Sequence, residues 1–264
     1  MKRGILLAAF GSGSRQGEAS FRRFDALVRE RCPGIPVRWA FTSMLMRERL
    51  ASARKKSDSV GKALSRMAFE KFTHVAVQPL HLIAGVEYGD ILSTAGQMRA
   101  GGRFAALTIG RPLLTEQPED VRRVAEALLA GLPGERRPDE AVLFMGHGSR
   151  HPSEERYEAL SCFLRERDPR VFMGTLNGTV RLENILPQLS GVERVWLLPL
   201  LAVVGRHTLE DMAGTSETSW RSRLLAEGIP CVPILRGMTE YEGLLDVWAD
   251  HLTAAMSGWP VPAS

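Results

Sequence analysis

Cysteine is scarce in this 264-residue sequence, and the few cysteines lie far apart. Cys32, Cys162 and Cys231 are odd in number, and none belongs to a C-x-x-C pair. Disulfide frameworks, structural zinc sites and iron–sulfur clusters all need thiols in pairs or at close spacing. The distribution therefore excludes these three features and indicates thiols that act as ordinary side chains.

Long apolar runs are also lacking. The first apolar segment, residues 5–10, follows Lys2 and Arg3 as in a secretory leader, but it is shorter than a leader's apolar core. No other segment approaches the roughly 20 apolar residues of a membrane helix. We therefore expect a cytoplasmic protein without a membrane partner.

Basic residues exceed acidic ones, but the sequence has no basic block. The 34 lysines and arginines against 30 acidic residues give a net charge of +4 and a pI near 9.2. They are spread along the chain, without the aromatic-interleaved basic stripe of a nucleic-acid surface. The charge favours a small acidic ligand and argues against nucleic acid as a partner.

Two stretches of the sequence repeat each other. Residues 197–212, LLPLLAVVGRHTLEDM, align without gaps with residues 77–92, VQPLHLIAGVEYGDIL. The aligned pairs include Pro79 with Pro199, Gly85 with Gly205, and Glu87 with His207. Both begin as apolar runs without alternation, which is typical of a strand buried on both faces.

A second echo lies upstream of the first. GSGSR at residues 11–15 matches GHGSR at residues 146–150, and each follows an apolar, strand-like run. Here Ser12 aligns with His147. Two echoes in the same order predict two related halves, whose polar tips differ because they do different chemistry at equivalent strand ends.

The pattern predicts an α/β fold of two similar domains, each a four-stranded parallel sheet flanked by helices, with an active-site cleft between them. The Pro-, Gly- and charge-rich residues 132–139 mark the expected boundary. The N-terminal α/β domain would span 1–132 and carry Glu87. The C-terminal one would span 140–264 and carry His147 and His207.

Two helices matter for this division. A continuous apolar stripe from Val121 to Leu129 predicts a helix that starts near Pro118 and is capped by Gly131. Residues 208–227 are predicted to be helical but broken near Gly214.

Three polar side chains break the symmetry of the repeat: Glu87, His147 and His207. Open α/β sheets present their sites at the carboxyl ends of strands, and the glycines flanking His147 allow a sharp backbone turn there. Two neutral imidazoles and one carboxylate form a nitrogen and oxygen set for a divalent first-row metal, with coordination positions left open. We therefore predict that these three residues handle a metal and carry the chemistry.

The motifs resemble those of a known family. FGSGS at 10–14, AFTS at 40–43, LHLIAGVEY at 80–88, FMGHGS at 144–149 and PLLAVVGRHTLEDMAG at 199–214 look like the anaerobic sirohydrochlorin cobaltochelatases of the cobalamin pathway. The resemblance covers essentially the whole chain. It implies a bilobal chelatase fold related to ferrochelatase and activity without ATP. It also implies that His147 and His207 are metal ligands and that Glu87 is their acidic partner.

The implied reaction is insertion of Co(II) into sirohydrochlorin or a closely related precorrin. Metalation removes two pyrrole protons, so a base must stand near the ring while the metal approaches. Histidine, with a free pKa near ~6.5, can be a ligand in one state and a proton acceptor in the other. Glu87 could relay the protons or complete the metal shell, and the sequence does not separate these roles.

Other positively charged side chains lie at the predicted strand ends. Because sirohydrochlorin carries many carboxylates, we predict that Arg15, Arg150 and Arg206 bind the substrate. His81 aligns with Leu201 in the repeat, so we expect it in a wall or core role rather than as a ligand.

Several alternatives stay open at this stage. Fe(II) and Ni(II) accept the same ligands, so sirohaem synthesis or a different tetrapyrrole such as protoporphyrin is one alternative. A non-catalytic metal or tetrapyrrole carrier is another. Gly11, Gly13 and Gly17 also resemble a dinucleotide fingerprint, but no acidic residue follows the second strand to bind a ribose. The sequence leaves the oligomeric state undetermined, and a homo-oligomer is compatible with it.

Overall fold

The computed structural model describes residues 1–55 and 57–260, which form two units. The first unit comprises Met1–Thr115 and the C-terminal residues from Leu245 onward, and the second comprises Glu116–Leu244. Each unit contains a four-stranded sheet in which all paired strands are parallel. The predicted α/β class with two similar parallel sheets is therefore confirmed.

The sheet of the first unit has the strand order β2-β1-β3-β4. Its strands are β1 (Arg3–Ala9), β2 (Val37–Phe41), β3 (His74–Pro79) and β4 (Ala106–Ile109). The helices that connect them are α1 (Arg15–Arg31), α2 (Met44–Ser52), α3 (Val60–Phe69) and α4 (Val86–Ala100). The central strands β1 and β3 are almost entirely buried, as their unbroken apolar runs predict.

The second unit repeats this arrangement with the strand order β6-β5-β7-β8. Its strands are β5 (Ala141–Gly146), β6 (Val171–Thr175), β7 (Val195–Leu200) and β8 (Cys231–Pro233). Its helices are α5 (Pro118–Ala130), α6 (Glu155–Arg167), α7 (Leu182–Ile185) and α8 (Trp220–Ala226). In both units the first strand pairs with the second and third strands, which is the order expected of two related halves.

Each sheet packs its helices over its own core. In the first unit, Leu6 and Val77 from the central strands pack with Leu64 of α3 and Ile91 of α4. In the second unit, Leu143 and Leu197 from the central strands occupy the same core as Trp220 of α8. The two cores hold the carboxyl ends of their central strands in fixed positions, and the candidate site residues follow those ends.

The division of the chain differs from the expected ranges 1–132 and 140–264. Helix α5 belongs to the second unit, where it packs against α6. The final helix α9 (Glu242–Met256) begins in the second unit, but from Leu245 its residues belong to the first. The amphipathic stripe of α5 correctly predicts a buried face and a start at Pro118, but a stripe does not specify which sheet it covers.

Aromatic packing explains why α9 returns to the first unit. Trp248 is fully buried against Phe24 of α1, with ring centroids 6.3 Å apart. Its indole N–H points to the backbone oxygen of His81 at 3.4 Å, and Arg31 binds Asp250 at 2.8 Å. A tryptophan buries a large area, so this one side chain ties the C-terminal helix to the N-terminal sheet.

No helix among the described residues is both long enough and apolar enough to cross a membrane.

Candidate active site

His147 and His207 lie at the carboxyl edge of the second sheet. His147 directly follows β5, and His207 follows the loop that leaves β7. Strands β5 and β7 are hydrogen-bonded neighbours, with Gly146 opposite Leu200 at their ends. The imidazole rings meet with centroids 5.0 Å apart and an interplanar angle of 67°. The sequence prediction that these two side chains converge holds within this unit.

A backbone contact favours one tautomer of the neutral His147 ring. Its Nδ1 lies 2.9 Å from the backbone oxygen of Gly148. Because a carbonyl oxygen only accepts, Nδ1 carries the proton and Nε2 keeps its lone pair. Gly148 has φ +75, a conformation that favours glycine and allows the chain to turn its carbonyl back toward the ring. His147 is exposed, so Nε2 is accessible to a ligand.

A carboxylate fixes the His207 ring in the same way. His207 begins a short π-helix, His207–Met212, and its Nδ1 lies 2.6 Å from Oδ2 of Asp211, four residues on. Since a carboxylate accepts, Nδ1–H donates and Nε2 is left for a metal. The π-helix ends at Met212, and two residues later the chain packs so closely on this turn that a Cβ at Gly214 would collide with the backbone oxygen of Glu210.

The pair therefore presents two Nε2 lone pairs, which is how histidines commonly bind divalent first-row metals. No group of three or more His, Cys, Asp or Glu side chains in the described ranges is arranged to hold a metal ion. The second unit can thus offer two nitrogen donors to a metal, and a set of two leaves coordination positions open for water or a substrate.

Glu87 lies in the first unit, one residue into helix α4 after β3. Its Oε2 accepts a hydrogen bond from the Thr42 hydroxyl at 3.1 Å and lies 3.1 Å from Nε2 of His81. Both contacts converge on one oxygen, so Oε1 has no hydrogen-bond partner among the residues that the structure describes. The Glu87 carboxylate is therefore anchored through Oε2, and Oε1 is left for another partner.

The contact with Glu87 is a role for His81 that the repeat did not reveal. His81 is mostly buried, as expected for a wall residue, but it also binds the candidate carboxylate. The repeat does not indicate this contact, because the residue aligned with His81 is Leu201, whose side chain cannot form a hydrogen bond with the residue aligned with Glu87. Asp211, in contrast, could be found from sequence, since side chains four residues apart share one face of a helical turn.

The three candidate arginines differ in whether their guanidinium groups are already bound in an ion pair. Arg15 starts helix α1 and Arg150 follows the His147 loop, and both are exposed. Neither has an ion-pair partner in the part of the chain covered by the structure. Arg206 is bound to Glu210 at 2.7 Å. Arg150 also lines a cleft of about 480 Å³ together with Arg181 and Asn177.

The fold is that of the chelatases. SirB from Bacillus subtilis, solved with Fe3+, superposes with a TM-score of 0.64 at 17% sequence identity, covering 97% of this chain and 96% of that one. CbiX, described as the terminal enzyme for biosynthesis of siroheme in denitrifying bacteria, gives a TM-score of 0.60 at 17% identity, covering 97% and 100%. At these identities the likeness concerns the fold alone.

Sequence comparison shows to which family of chelatases the chain is similar. The family described as cobalt chelatase (CbiK) matches residues 3–257. The sirohydrochlorin cobaltochelatase CbiKC of Nitratidesulfovibrio vulgaris (strain Hildenborough) is 61% identical over 258 residues, which are 97% of this chain and 91% of that protein. The sirohydrochlorin cobaltochelatase of Salmonella typhimurium (strain LT2) is 30% identical over 261 residues, 97% of each chain. The chain belongs to the CbiK cobalt chelatase family, and the resemblance stated from its motifs is confirmed.

Proposed function

We propose that this protein inserts Co(II) into sirohydrochlorin to give cobalt-sirohydrochlorin in anaerobic cobalamin biosynthesis. The observation that carries the proposal is the imidazole pair of a cobalt chelatase family member, with both Nδ1 atoms engaged and both Nε2 atoms free. The substrate is assigned from the 61% identical relative, whose name specifies it. Cobalt, rather than the iron of sirohaem synthesis, follows from the same relative and from the family.

In this proposal His147 and His207 bind the incoming metal through Nε2 and release it to the macrocycle. An incomplete shell supports this role, because a closed set of strong ligands would retain the metal. Glu87 accepts or relays pyrrole protons or acts as a further metal ligand. Its one-sided anchoring by Thr42 and His81 supports the proposal, since it leaves Oε1 for a reaction partner.

We also propose that arginines bind the carboxylates at the edge of the macrocycle. Arg15 and Arg150 are the stronger candidates, because a guanidinium without an ion-pair partner can form a bidentate pair with a carboxylate. Arg206 must first leave Glu210. We expect Arg150→Ala to raise the KM for sirohydrochlorin more than Arg206→Ala does, and equal KM values for the two variants would contradict this ranking.

The experiment is a spectrophotometric assay with excess sirohydrochlorin and Co(II), without ATP. We expect many turnovers, with faster insertion of Co(II) than of Fe(II) or Ni(II) under anaerobic conditions. A single turnover would indicate a carrier, and faster Fe(II) insertion would indicate sirohaem synthesis. A requirement for ATP would contradict the predicted ATP-independent mechanism. A cytoplasmic location remains a prediction of the sequence, which cell fractionation tests.

A further inference from the structure

A buried carboxylate lies beneath the His147 loop. Glu154 ends the short 3-10 helix Pro152–Glu154, directly before α6, and its side chain is 8% exposed. The sequence does not indicate a functional role for Glu154, because it is one of two consecutive glutamates in the first turn of a predicted helix. Burial raises the pKa of the Glu154 carboxyl, so placing it here has a desolvation cost.

The two oxygens of Glu154 bind two different loops. Oε2 accepts from the backbone N–H of Ser149 at 2.7 Å, in the loop that follows β5. Oε1 accepts from the backbone N–H of Thr179 at 3.3 Å, and it lies 3.4 Å from the Thr175 hydroxyl. Thr175 and Thr179 belong to the end of β6 and the loop after it. One carboxylate therefore joins the loops after two neighbouring strands.

Those same loops also contact each other around His147. The N–H of Asn177 donates to the backbone oxygen of His147 at 2.9 Å. Gly148 and Gly178 approach so closely that a Cβ on Gly148 would collide with the backbone nitrogen of Gly178. A Cβ on Gly178 would in turn collide with Oε1 of Glu154. The two loops are therefore packed directly against each other and against the Glu154 carboxylate.

We propose that Glu154 is a positioning residue for His147, holding the β5 and β6 loops together so that the His147 ring stays beside the ring of His207. The expected effect on catalysis rests on the proposed function, whereas the position of the His147 loop does not depend on it. Hydrogen-bond partners behind a metal-binding histidine set its tautomer and ring orientation. Here the support acts through the backbone, because the Gly148 carbonyl that binds Nδ1 lies next to Ser149.

Glu154→Gln tests this role with little change in size. The amide of glutamine has one accepting oxygen and one donating NH2, so one loop would face a donor where it now has an acceptor. Glu158→Gln is the matched control, since Glu158 lies four residues further on in α6, lines the same cleft, is exposed, and bonds neither loop. If Glu154→Gln does not fold, Glu154→Asp serves, because it keeps the charge but is one methylene too short to reach both amides.

The first measurement is a long-range proton–nitrogen NMR spectrum of the histidine side chains in the metal-free protein. The His147 signals are identified by their loss in His147→Ala. We expect the Nδ1–H tautomer of His147 to give way to a mixture in Glu154→Gln, while the His207 signals and the Glu158→Gln spectrum stay unchanged. Unchanged His147 signals in a folded Glu154 variant would overturn the proposal.

The second measurement is Co(II) binding by the metal-free protein. Loss of a supporting residue behind a metal ligand costs about 10- to 100-fold in affinity, and we expect that range for Glu154→Gln and no change for Glu158→Gln. Wild-type affinity in Glu154→Gln would overturn the proposal. A wild-type protein that fails to insert cobalt would refute the proposed function alone, because the NMR result is independent of activity.

Discussion

The imidazoles of His147 and His207 face each other edge to face at 5.0 Å, although 59 residues separate them in the sequence. Each ring uses Nδ1 for a contact within its own segment, His147 in its loop and His207 in its π-helix, which leaves each Nε2 without a hydrogen-bond partner among the described residues. The parallel pairing of β5 and β7 brings the two loops to one edge of the sheet. The site thus follows from strand order rather than from proximity along the chain.

Replacing either histidine should remove most of the activity. In His147→Ala and His207→Ala we expect cobalt insertion to fall by at least about 100-fold, the upper end of what loss of a supporting residue behind a ligand costs, since each variant lacks one of the two nitrogens that we propose to bind the metal. The assay is steady-state insertion, with a thermal melt to confirm folding. His74→Ala is the control, because His74 lies at the start of β3, the opposite end of a strand from the candidate residues. Near-normal insertion by either variant would disprove the assignment of that residue.

Asp211 should tune the affinity of His207. In Asp211→Asn the charge behind Nδ1 is lost while an accepting oxygen remains, so the imidazole becomes a weaker ligand. We expect Co(II) affinity to fall by about tenfold, measured by titration of the metal-free protein. Glu217→Gln changes an exposed carboxylate of the same unit and should have no effect. Equal affinities for Asp211→Asn and wild type would show that the hydrogen bond only shapes the π-helix.

Glu87→Gln should separate chemistry from binding. The amide keeps the size and the contact with Thr42, but it is a poor base and a poor metal ligand. We expect kcat for insertion to fall more than the affinity for sirohydrochlorin, measured by turnover and by fluorescence titration. Asp90→Asn, an exposed carboxylate on the same helix, is the control. Equal losses of kcat and affinity would count against a proton role.

Acid should weaken one ion pair of the second unit. The Arg136 guanidinium binds Asp168 in a fork, with a shortest distance of 2.5 Å, and it lowers the pKa of that carboxyl. A lowered folded-state pKa stabilises the protein above the unfolded value of about 3.9 and loses this effect as the pH falls through the folded value.

We expect Asp168→Asn to reduce the free energy of unfolding by about 1–2 kcal/mol at pH 7, with the difference from wild type shrinking as the pH falls below the unfolded value of about 3.9. Urea unfolding at pH 7 and at acid pH measures it. Asp139→Asn, which removes an exposed carboxylate 3.9 Å from Arg137, is the control. A difference that persists at low pH would mean that the substitution acts through packing instead of charge.

Local patterns predict the elements of this fold well. The unbroken apolar runs predict the buried strands, and the stripe after Pro118 predicts α5 with its cap at Gly131. They do not predict where α5 and α9 pack, because a stripe records that a face is buried and not what covers it. The burial of Trp248 against Phe24, which assigns the end of α9 to the first unit, involves residues from opposite ends of the chain.

The candidate site shows the same limit. The repeat singles out His147, His207 and Glu87, since these positions differ between otherwise similar halves. It does not single out His81 or Glu154, whose contacts depend on how loops fold over one another. A buried carboxylate that binds backbone amides produces no periodic pattern in a sequence. Only the three-dimensional structure distinguishes Glu154 from its exposed neighbour Glu155.

A crystal structure of the protein soaked with Co(II) in the absence of tetrapyrrole tests the central claim most directly. The quantity to measure is the distance from the cobalt ion to each imidazole nitrogen of His147 and His207. We predict one cobalt ion bound by both Nε2 atoms at about 2.0–2.2 Å, with both Nδ1 contacts unchanged. Cobalt bound elsewhere, or bound through Nδ1 after either ring has turned, would contradict the account.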